Sequence, residues 1–181
     1  SIGLASLFTG EEACRKYVGQ LISSLHDQGY ITASADSVVF DSASARLWIY
    51  TGEIYRWEGL NADSADKKTL AAVGWNNRAF TGTPLDFKQV NSWQGRLLNY
   101  YENNGYPFAQ IMLDSLMIRN GNISGKLITG KGPAYTIDSI RVYGNVKISN
   151  VFLQKYLGIE NGSPYKKDRL QSISRRLLEL P

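Results

Sequence analysis

An internal repeat with a period of about 76 to 80 residues runs through this sequence. Residues 52–57 (GEIYRW) return as residues 132–137 (GPAYTI), with the glycine and the tyrosine each displaced by 80 positions. Residues 82–84 (GTP) return as residues 162–164 (GSP) at the same displacement. Two separate matches at one offset predict a tandem of small modules, each with its own supersecondary structure.

The middle copy of the repeat predicts a strand, two helices and a hairpin. An amphipathic stripe predicts a long helix from about Asp86 to Asn104, which Asn104-Gly105 ends. Two β-rich runs follow, at about 108–119 and 123–130. Asn120-Gly121 joins them and is a strong signal for a tight hairpin.

The last copy begins in the same way. A β-rich run from Ala134 to Tyr143 predicts an opening strand, and Ser149 is placed to cap a short helix from Val151 to Leu157. A second amphipathic helix then presents one apolar stripe, formed by Leu170, Ile173, Leu177 and Leu180.

The first copy lacks an opening strand. It predicts a helix from about Glu11 to Gln28 and a hairpin between Tyr30 and Tyr50. One face of this helix is predicted to carry Cys14, Tyr17, Leu21 and Leu25.

The predicted fold class is therefore α+β, with tandem β-α-α-β-β modules, each a three-stranded mixed sheet covered on one face by two helices. Residues 1–51 form a partial module of helix and hairpin, called here the N-terminal segment. Residues 52–132 form a complete module, the middle segment, and residues 133–181 form a truncated module of strand and two helices, the C-terminal segment. Because both outer modules are incomplete, we expect the sequence to be a piece of a longer protein.

The low numbers of cysteine and histidine residues argue against an enzyme. The 181 residues include one cysteine and one histidine, which excludes an internal disulfide framework and a cysteine-based zinc site. Cys14 and His26 lie 12 positions apart on one predicted helix, about 18 Å at 1.5 Å per residue, so they cannot act together there. Acidic residues such as Asp63 and Asp66 fall near predicted helix starts, where they offset unpaired amides. We expect no cofactor and no metal.

The net charge of +4 comes entirely from the C-terminal segment. Residues 1–132 contain 12 Lys or Arg and 12 Asp or Glu, whereas residues 133–181 contain 8 and 4. The last helix carries a basic face made of Lys166, Lys167, Arg169, Arg175 and Arg176. We interpret this face as solvated, with an anionic membrane or an acidic partner as alternatives, and we expect no nucleic-acid partner.

The modules resemble the POTRA (polypeptide-transport-associated) domain. The C-terminal segment carries the likeness in Tyr135-x-Ile137-Asp138-x-Ile140-x-Val142-x-Gly144-Asn145, followed by a leucine pair before Gly158 and by Gly162-x-x-Tyr165. Residues 105–109 (GYPFA) are similar to the end of the second helix in that family. The middle segment departs from the pattern, with Trp57 and residues 59–61 (GLN) where Ile-x-x-Ile and Gly-Asn are expected.

The resemblance implies a periplasmic scaffold that precedes an outer-membrane barrel of the BamA and TamA superfamily, acting in protein assembly, insertion or translocation. Implied partners are outer-membrane protein precursors or assembly subunits, and a C-terminal β-barrel beyond this sequence. We expect client binding by β-augmentation at the edge strand that follows the second helix of the middle segment. The residues expected to bind are Phe108, Gln110, Ile111, Met112, Leu113 and Asp114.

Two other readings remain open. Eleven tyrosines and four tryptophans are compatible with a secreted or surface carbohydrate-binding module. A POTRA-bearing protein of two-partner secretion or of cell division is the other alternative.

Overall fold

The computed structural model describes residues 4–5, 7–144 and 148–179. Their helices are α1 (Glu11–Asp27), α2 (Lys67–Val73), α3 (Phe87–Glu102), α4 (Asn150–Leu157) and α5 (Lys167–Leu177), with a 3-10 helix at Asn77–Ala79. Their strands are β1 (Ser34–Phe40), β2 (Ala45–Tyr50), β3 (Arg56–Asn61), β4 (Gln110–Arg119) and β5 (Asn122–Gly130). The α+β fold class predicted from the sequence is confirmed.

The strands form two sheets. Strands β1 and β2 pair antiparallel, with Val38 opposite Leu47, and the other sheet has the order β3-β5-β4. The turn between β4 and β5 has φ 49° at Asn120 and φ 73° at Gly121. Two successive left-handed residues are what a type I′ hairpin turn requires, so the predicted Asn-Gly turn is confirmed.

Both short helices are capped by side chains. The Asp66 carboxylate accepts a hydrogen bond from the Thr69 amide at 2.8 Å and begins α2. The Ser149 hydroxyl accepts from the Phe152 amide at 3.2 Å and begins α4, as the sequence predicted. Glycines with left-handed backbones, Gly74 and Gly158, end the two helices.

Helix α1 buries a stripe that differs at one position from the prediction. Cys14, Leu21 and Leu25 are buried as expected, but the fourth buried residue is Val18, whereas Tyr17 is half-buried. The Tyr17 hydroxyl accepts a hydrogen bond from the Ala5 amide at 2.9 Å. The buried positions 14, 18, 21 and 25 follow the i, i+4, i+7, i+11 spacing of one helix face, and Tyr17 lies beside this face.

The core of the middle segment consists of large side chains with almost no exposed surface. Trp57 and Phe80 meet edge to face, with ring centroids 6.1 Å apart. The other fully buried large side chains are Leu60, Leu85, Val90, Leu97, Tyr101 and Leu127.

The prediction of an opening strand at 134–143 is wrong, because these residues do not pair along a sheet. The described residues of this range form one isolated bridge, between Thr136 and Pro164. In the middle segment, β3 is held in a sheet by β5 of the following hairpin. In the described part of the chain, no strand pairs with residues 134–143 beyond this one bridge.

The described residues belong to two compact units. One comprises those of Ser1–Asn61, Asn77–Asn91 and Ser115–Gly125, and the other comprises those of Ala62–Asn76, Ser92–Asp114 and Lys126–Pro181. The boundary between the N-terminal and middle segments, at 51/52, falls inside the first unit. The boundary between the middle and C-terminal segments, at 132/133, falls inside the second.

Candidate edge-strand interface

Strand β4 lies at an edge of its sheet, with β5 as its neighbour. From Gln110 to Asp114 its side chains alternate: Ile111 and Leu113 are half-buried, whereas Gln110, Met112 and Asp114 are exposed. Met112 exposes 53% of its surface. An edge strand of this kind offers backbone N–H and C=O groups and an apolar side chain to a further strand.

The alternation stops at Ser115, which has a left-handed φ of 52°. The next five residues, 115–119, are all exposed, and they include Leu116, Met117 and Ile118. Ile118 is 59% exposed. A left-handed residue inside a strand changes the direction of the following side chains, so the regular edge ends at Asp114.

The side chains of Gln94 and Phe108 make contacts at this edge or next to it. Gln94 on α3 donates a hydrogen bond from Nε2 to the carbonyl oxygen of Ile111 at 3.2 Å. Phe108, which precedes β4, packs edge to face on Tyr135 with centroids 5.3 Å apart. The carbonyl of Ile111 therefore already has a partner within the protein. Phe108 contacts the C-terminal segment but remains 64% exposed.

The basic face predicted on the last helix is divided among different contacts. Lys167 forms an ion pair with Glu102 at 2.6 Å, and this hydrogen bond is the main reason that the Lys167 pKa is raised. The Arg176 guanidinium lies 5.6 Å from the centre of the Tyr156 ring. Arg169 packs against Gly158, where a Cβ would lie 2.7 Å from its Nη1. Three of the five predicted cations therefore have structural partners.

The remaining two cations are exposed. Lys166 is the residue before α5 and its side chain makes no capping hydrogen bond. Arg175 lies in the last turn of α5, where a positive charge complements the helix dipole.

The same pair of backbone hydrogen bonds, called here the boundary clasp, occurs at both segment boundaries. At the first, the Tyr55 amide donates to the Gly29 carbonyl at 2.8 Å, and the Leu85 amide donates to the Tyr55 carbonyl at 2.9 Å. At the second, the Tyr135 amide donates to the Gly105 carbonyl at 2.7 Å, and the Tyr165 amide donates to the Tyr135 carbonyl at 2.9 Å.

Each boundary clasp includes a glycine, Gly29 or Gly105, whose backbone is left-handed. A Cβ on Gly29 would lie 2.7 Å from the Tyr55 carbonyl oxygen, and Gly29 has φ +92°. Gly105 has φ +97° at the equivalent position. Gly29-Tyr30 and Gly105-Tyr106 match in the sequence at an offset of 76 residues. Their role in joining segments had no sequence signal, because the bonds are made by backbone atoms.

Lys131, which lies close to the second segment boundary, connects two parts of the middle segment. Its Nζ lies 2.6 Å from Oδ2 of Asp66, the cap of α2, and 5.5 Å from the centre of the Tyr101 ring. The Lys131 hydrogen bond, followed by that of the Thr69 amide, holds the pKa of Asp66 well below its usual range. The ion pair fixes residue 131 immediately before the second boundary.

Other kinds of site are not evident in the described residues. They contain no group of three or more His, Cys, Asp or Glu side chains able to hold a metal ion. None of the helices among them is both long and apolar enough to cross a membrane. Cys14 is buried, and the His26 ring is hydrogen-bonded through Nε2 to the Ala33 carbonyl at 2.9 Å.

Comparison with known proteins identifies the architecture. POTRA domains 3 to 5 of BamA from Haemophilus influenzae superpose with a TM-score of 0.57 at 12% identity, covering 92% of this chain and 69% of that one. The N-terminal domain of Omp85 from the thermophilic cyanobacterium Thermosynechococcus elongatus gives 0.38 at 12% identity, covering 91% and 72%. POTRA domains 1 to 3 of the periplasmic domain of Omp85 from Anabaena give 0.41 at 13% identity, covering 91% and 70%.

Sequence comparison adds no closer relationship: no protein-family model matches the chain, and no curated protein matches it. The chain has a POTRA-type fold, as the sequence resemblance implied. The structural neighbours are POTRA domains rather than enzymes.

Proposed function

We propose that this chain is a protein-interaction scaffold of an outer-membrane protein assembly, insertion or translocation machine, and that it binds extended polypeptides by β-augmentation. The observation that carries the proposal is the position of β4 at the edge of the β3-β5-β4 sheet. A POTRA-type fold is compatible with this role, since the structure of similar fold belongs to BamA.

The binding segment is residues 108–114, the predicted site. Its apolar residues lie on both faces of the strand: Met112 is exposed and Ile111 and Leu113 are half-buried. Asp114 is the only charged residue in the segment. Proteins commonly place charges or proline on an edge strand to discourage pairing. This segment has one charge, at one end, and an added strand would displace Gln94 Nε2 from the Ile111 carbonyl.

Backbone pairing suits a scaffold with many clients. Main-chain hydrogen bonds give affinity that depends little on the client sequence, while the side-chain positions of alternate residues add preference. Clients of this chemistry are extended segments with alternating apolar and polar residues, such as the strands of an outer-membrane barrel. The proposed location is the periplasmic side of the outer membrane, and a barrel following this segment in a longer protein belongs to the same proposal.

The aromatic residues give less support to a carbohydrate-binding module. Trp57 and Tyr101 are buried in the core, and Trp75 and Trp93 pack on each other with centroids 5.1 Å apart. These rings serve packing rather than an open sugar platform.

The experiment measures binding of a synthetic barrel-strand peptide of about ten residues by calorimetry. Ile111→Pro removes a backbone amide from the edge and places a ring against the ladder, so we expect binding to be lost. Ile111→Val keeps the amide and a β-branched apolar side chain, and it should bind as the parent does. The far-ultraviolet circular dichroism and Tm of both variants establish that they are folded. A folded Ile111→Pro variant that binds like the parent contradicts the proposal.

A further inference from the structure

Two residues of the central strand β5 direct their backbone groups away from β4. Ser64, which follows β3 in the chain, donates a hydrogen bond from Oγ to the Leu127 carbonyl at 2.9 Å. The same Oγ accepts a hydrogen bond from the Thr129 amide at 2.8 Å. Strands β3 and β4 lie on opposite sides of β5, so Leu127 and Thr129 point toward the β3 side.

The direction of these groups determines which residues of β4 face the free edge. Strands β4 and β5 form a hairpin, so they run antiparallel, and residues opposite each other have side chains on the same face. Opposite residues direct their backbone groups either toward each other or away from each other. The covered face carries buried Leu127 on β5 and half-buried Ile111 and Leu113 on β4. Because Leu127 points away from β4, Ile111 and Leu113 direct their N–H and C=O groups to the free edge.

A side chain of α3 occupies one of these edge groups. Gln94 is half-buried and donates from Nε2 to the Ile111 carbonyl oxygen at 3.2 Å. A strand added to this edge would offer a backbone N–H to the same oxygen. The Gln94 amide group therefore lies where the amide of a client strand would bind.

We propose that Gln94 controls the affinity of the β4 edge: a client pairs with Ile111 and Leu113, and its amide replaces Gln94 Nε2 at the Ile111 carbonyl. This inference rests on the proposed function, because it concerns how a client strand binds at the same edge. Met112 directs its backbone groups to β5, so it contributes its exposed side chain to the client contact and no client hydrogen bond.

The exchange at Ile111 makes Gln94 a competitor of the client. Client binding forms one hydrogen bond to this carbonyl and breaks another, and the displaced carboxamide returns to water. The existing bond therefore subtracts from the affinity for the client. Removing the donor should strengthen binding by roughly twofold to tenfold, the effect of one hydrogen bond. In the free chain the same bond covers part of an edge that would otherwise be open to unspecific pairing.

The first test is calorimetric titration of the barrel-strand peptide into the parent, Gln94→Met and Gln89→Met. Gln94→Met keeps the length of the side chain and removes the donor. Gln89→Met makes the same exchange on α3 at a position about 140° around the helix axis. We expect Gln94→Met to bind roughly twofold to tenfold more tightly, and Gln89→Met to bind as the parent does.

The outcomes of this titration separate the two proposals. Parent binding that Gln94→Met leaves unchanged or weakens overturns the role of Gln94 and leaves the proposed function in place. Equal strengthening by Gln89→Met also overturns that role. Absence of peptide binding to the parent and to both variants overturns the proposed function together with this inference.

The second test measures amide hydrogen exchange of the parent, which does not depend on any variant. In the free chain, the amides of Ile111 and Leu113 should exchange faster than the Met112 amide, which faces β5. Saturating barrel-strand peptide should slow exchange at Ile111 and Leu113 and leave Met112 unchanged. Equal exchange of the three amides in the free chain, or peptide protection at Met112 instead, overturns the inference.

Discussion

Helices α3 and α5 occupy the same place in the repeat but differ in burial. Val90 and Leu97 of α3 have 1% and 0% exposed surface. At the 80-residue offset, Leu170 of α5 is half-buried and Leu177 is 41% exposed. The apolar stripe is present in both helices, and among the described residues the hairpin of β4 and β5 follows α3.

The backbone around the two opening segments is, by contrast, almost identical. The Trp57 amide donates to Thr83 at 2.9 Å, and the Ile137 amide donates to Ser163 at 2.8 Å. Gly82 and Gly162 each donate back, to residues 57 and 137, at 2.7 Å. Local pairing is therefore set by the neighbouring sequence, whereas burial of the helix stripe depends on the hairpin.

Replacing one leucine in each helix with alanine should change the free energy of unfolding by very different amounts. Leu97→Ala leaves a cavity in a closed core and should lower the free energy of unfolding by about 2–5 kcal/mol. Leu177→Ala, at the equivalent exposed position, should change it by about 0.5 kcal/mol or less. Urea denaturation followed by circular dichroism measures both. Equal losses would show that α5 is packed as tightly as α3.

The glycines of the two boundary clasps allow a second comparison of matched variants. Gly29→Ala forces a Cβ to within 2.7 Å of a carbonyl oxygen, whereas at Gly105 the nearest atom is 3.7 Å away. Both variants must hold a left-handed backbone, at a cost of about 1–2 kcal/mol. We therefore expect Gly29→Ala to lower Tm more than Gly105→Ala. The reverse order in differential scanning calorimetry would contradict the described clasp geometry.

Removing the N-terminal cap of α4 should have a smaller effect on stability, and this effect does not depend on the hairpin. Ser149→Ala removes the cap of α4 and should destabilise it by about 1 kcal/mol, whereas Ser149→Asp should preserve the cap. Amide hydrogen exchange of α4 measures the change. Unchanged protection in Ser149→Ala would show that the cap contributes nothing.

The pH dependence of stability tests the ion pair between Lys131 and Asp66. Because the pKa of Asp66 is lowered in the folded chain, its contribution is complete above its unfolded pKa of about 3.9 and is lost as the pH falls through the folded pKa. Asp66→Asn should therefore show a smaller fall in Tm between about pH 5 and pH 2 than the parent. Identical profiles would show that the Lys131 ion pair does not stabilise the folded state.

The sequence predicted elements whose signals are local. The Asn120-Gly121 hairpin, the Ser149 cap and helix α3 lie within a few residues of their predicted bounds. It failed at 134–143, where the described residues form a single bridge, because a ladder strand depends on a partner distant in sequence. The edge position of β4 followed from the POTRA resemblance, but the left-handed Ser115 and the hydrogen bond from Gln94 had no sequence signal, because both depend on three-dimensional context.

The central claim is that an extended client adds as a strand to β4 at residues 108–114. The most direct measurement is isotope-edited nuclear Overhauser spectroscopy of the labelled chain with an unlabelled barrel-strand peptide. We expect peptide contacts to backbone protons of Gln110–Asp114 in the regular pattern of a sheet, with the β4 to β5 pairing retained. Contacts confined to α4 and α5, or peptide binding that leaves β4 unperturbed, would contradict it.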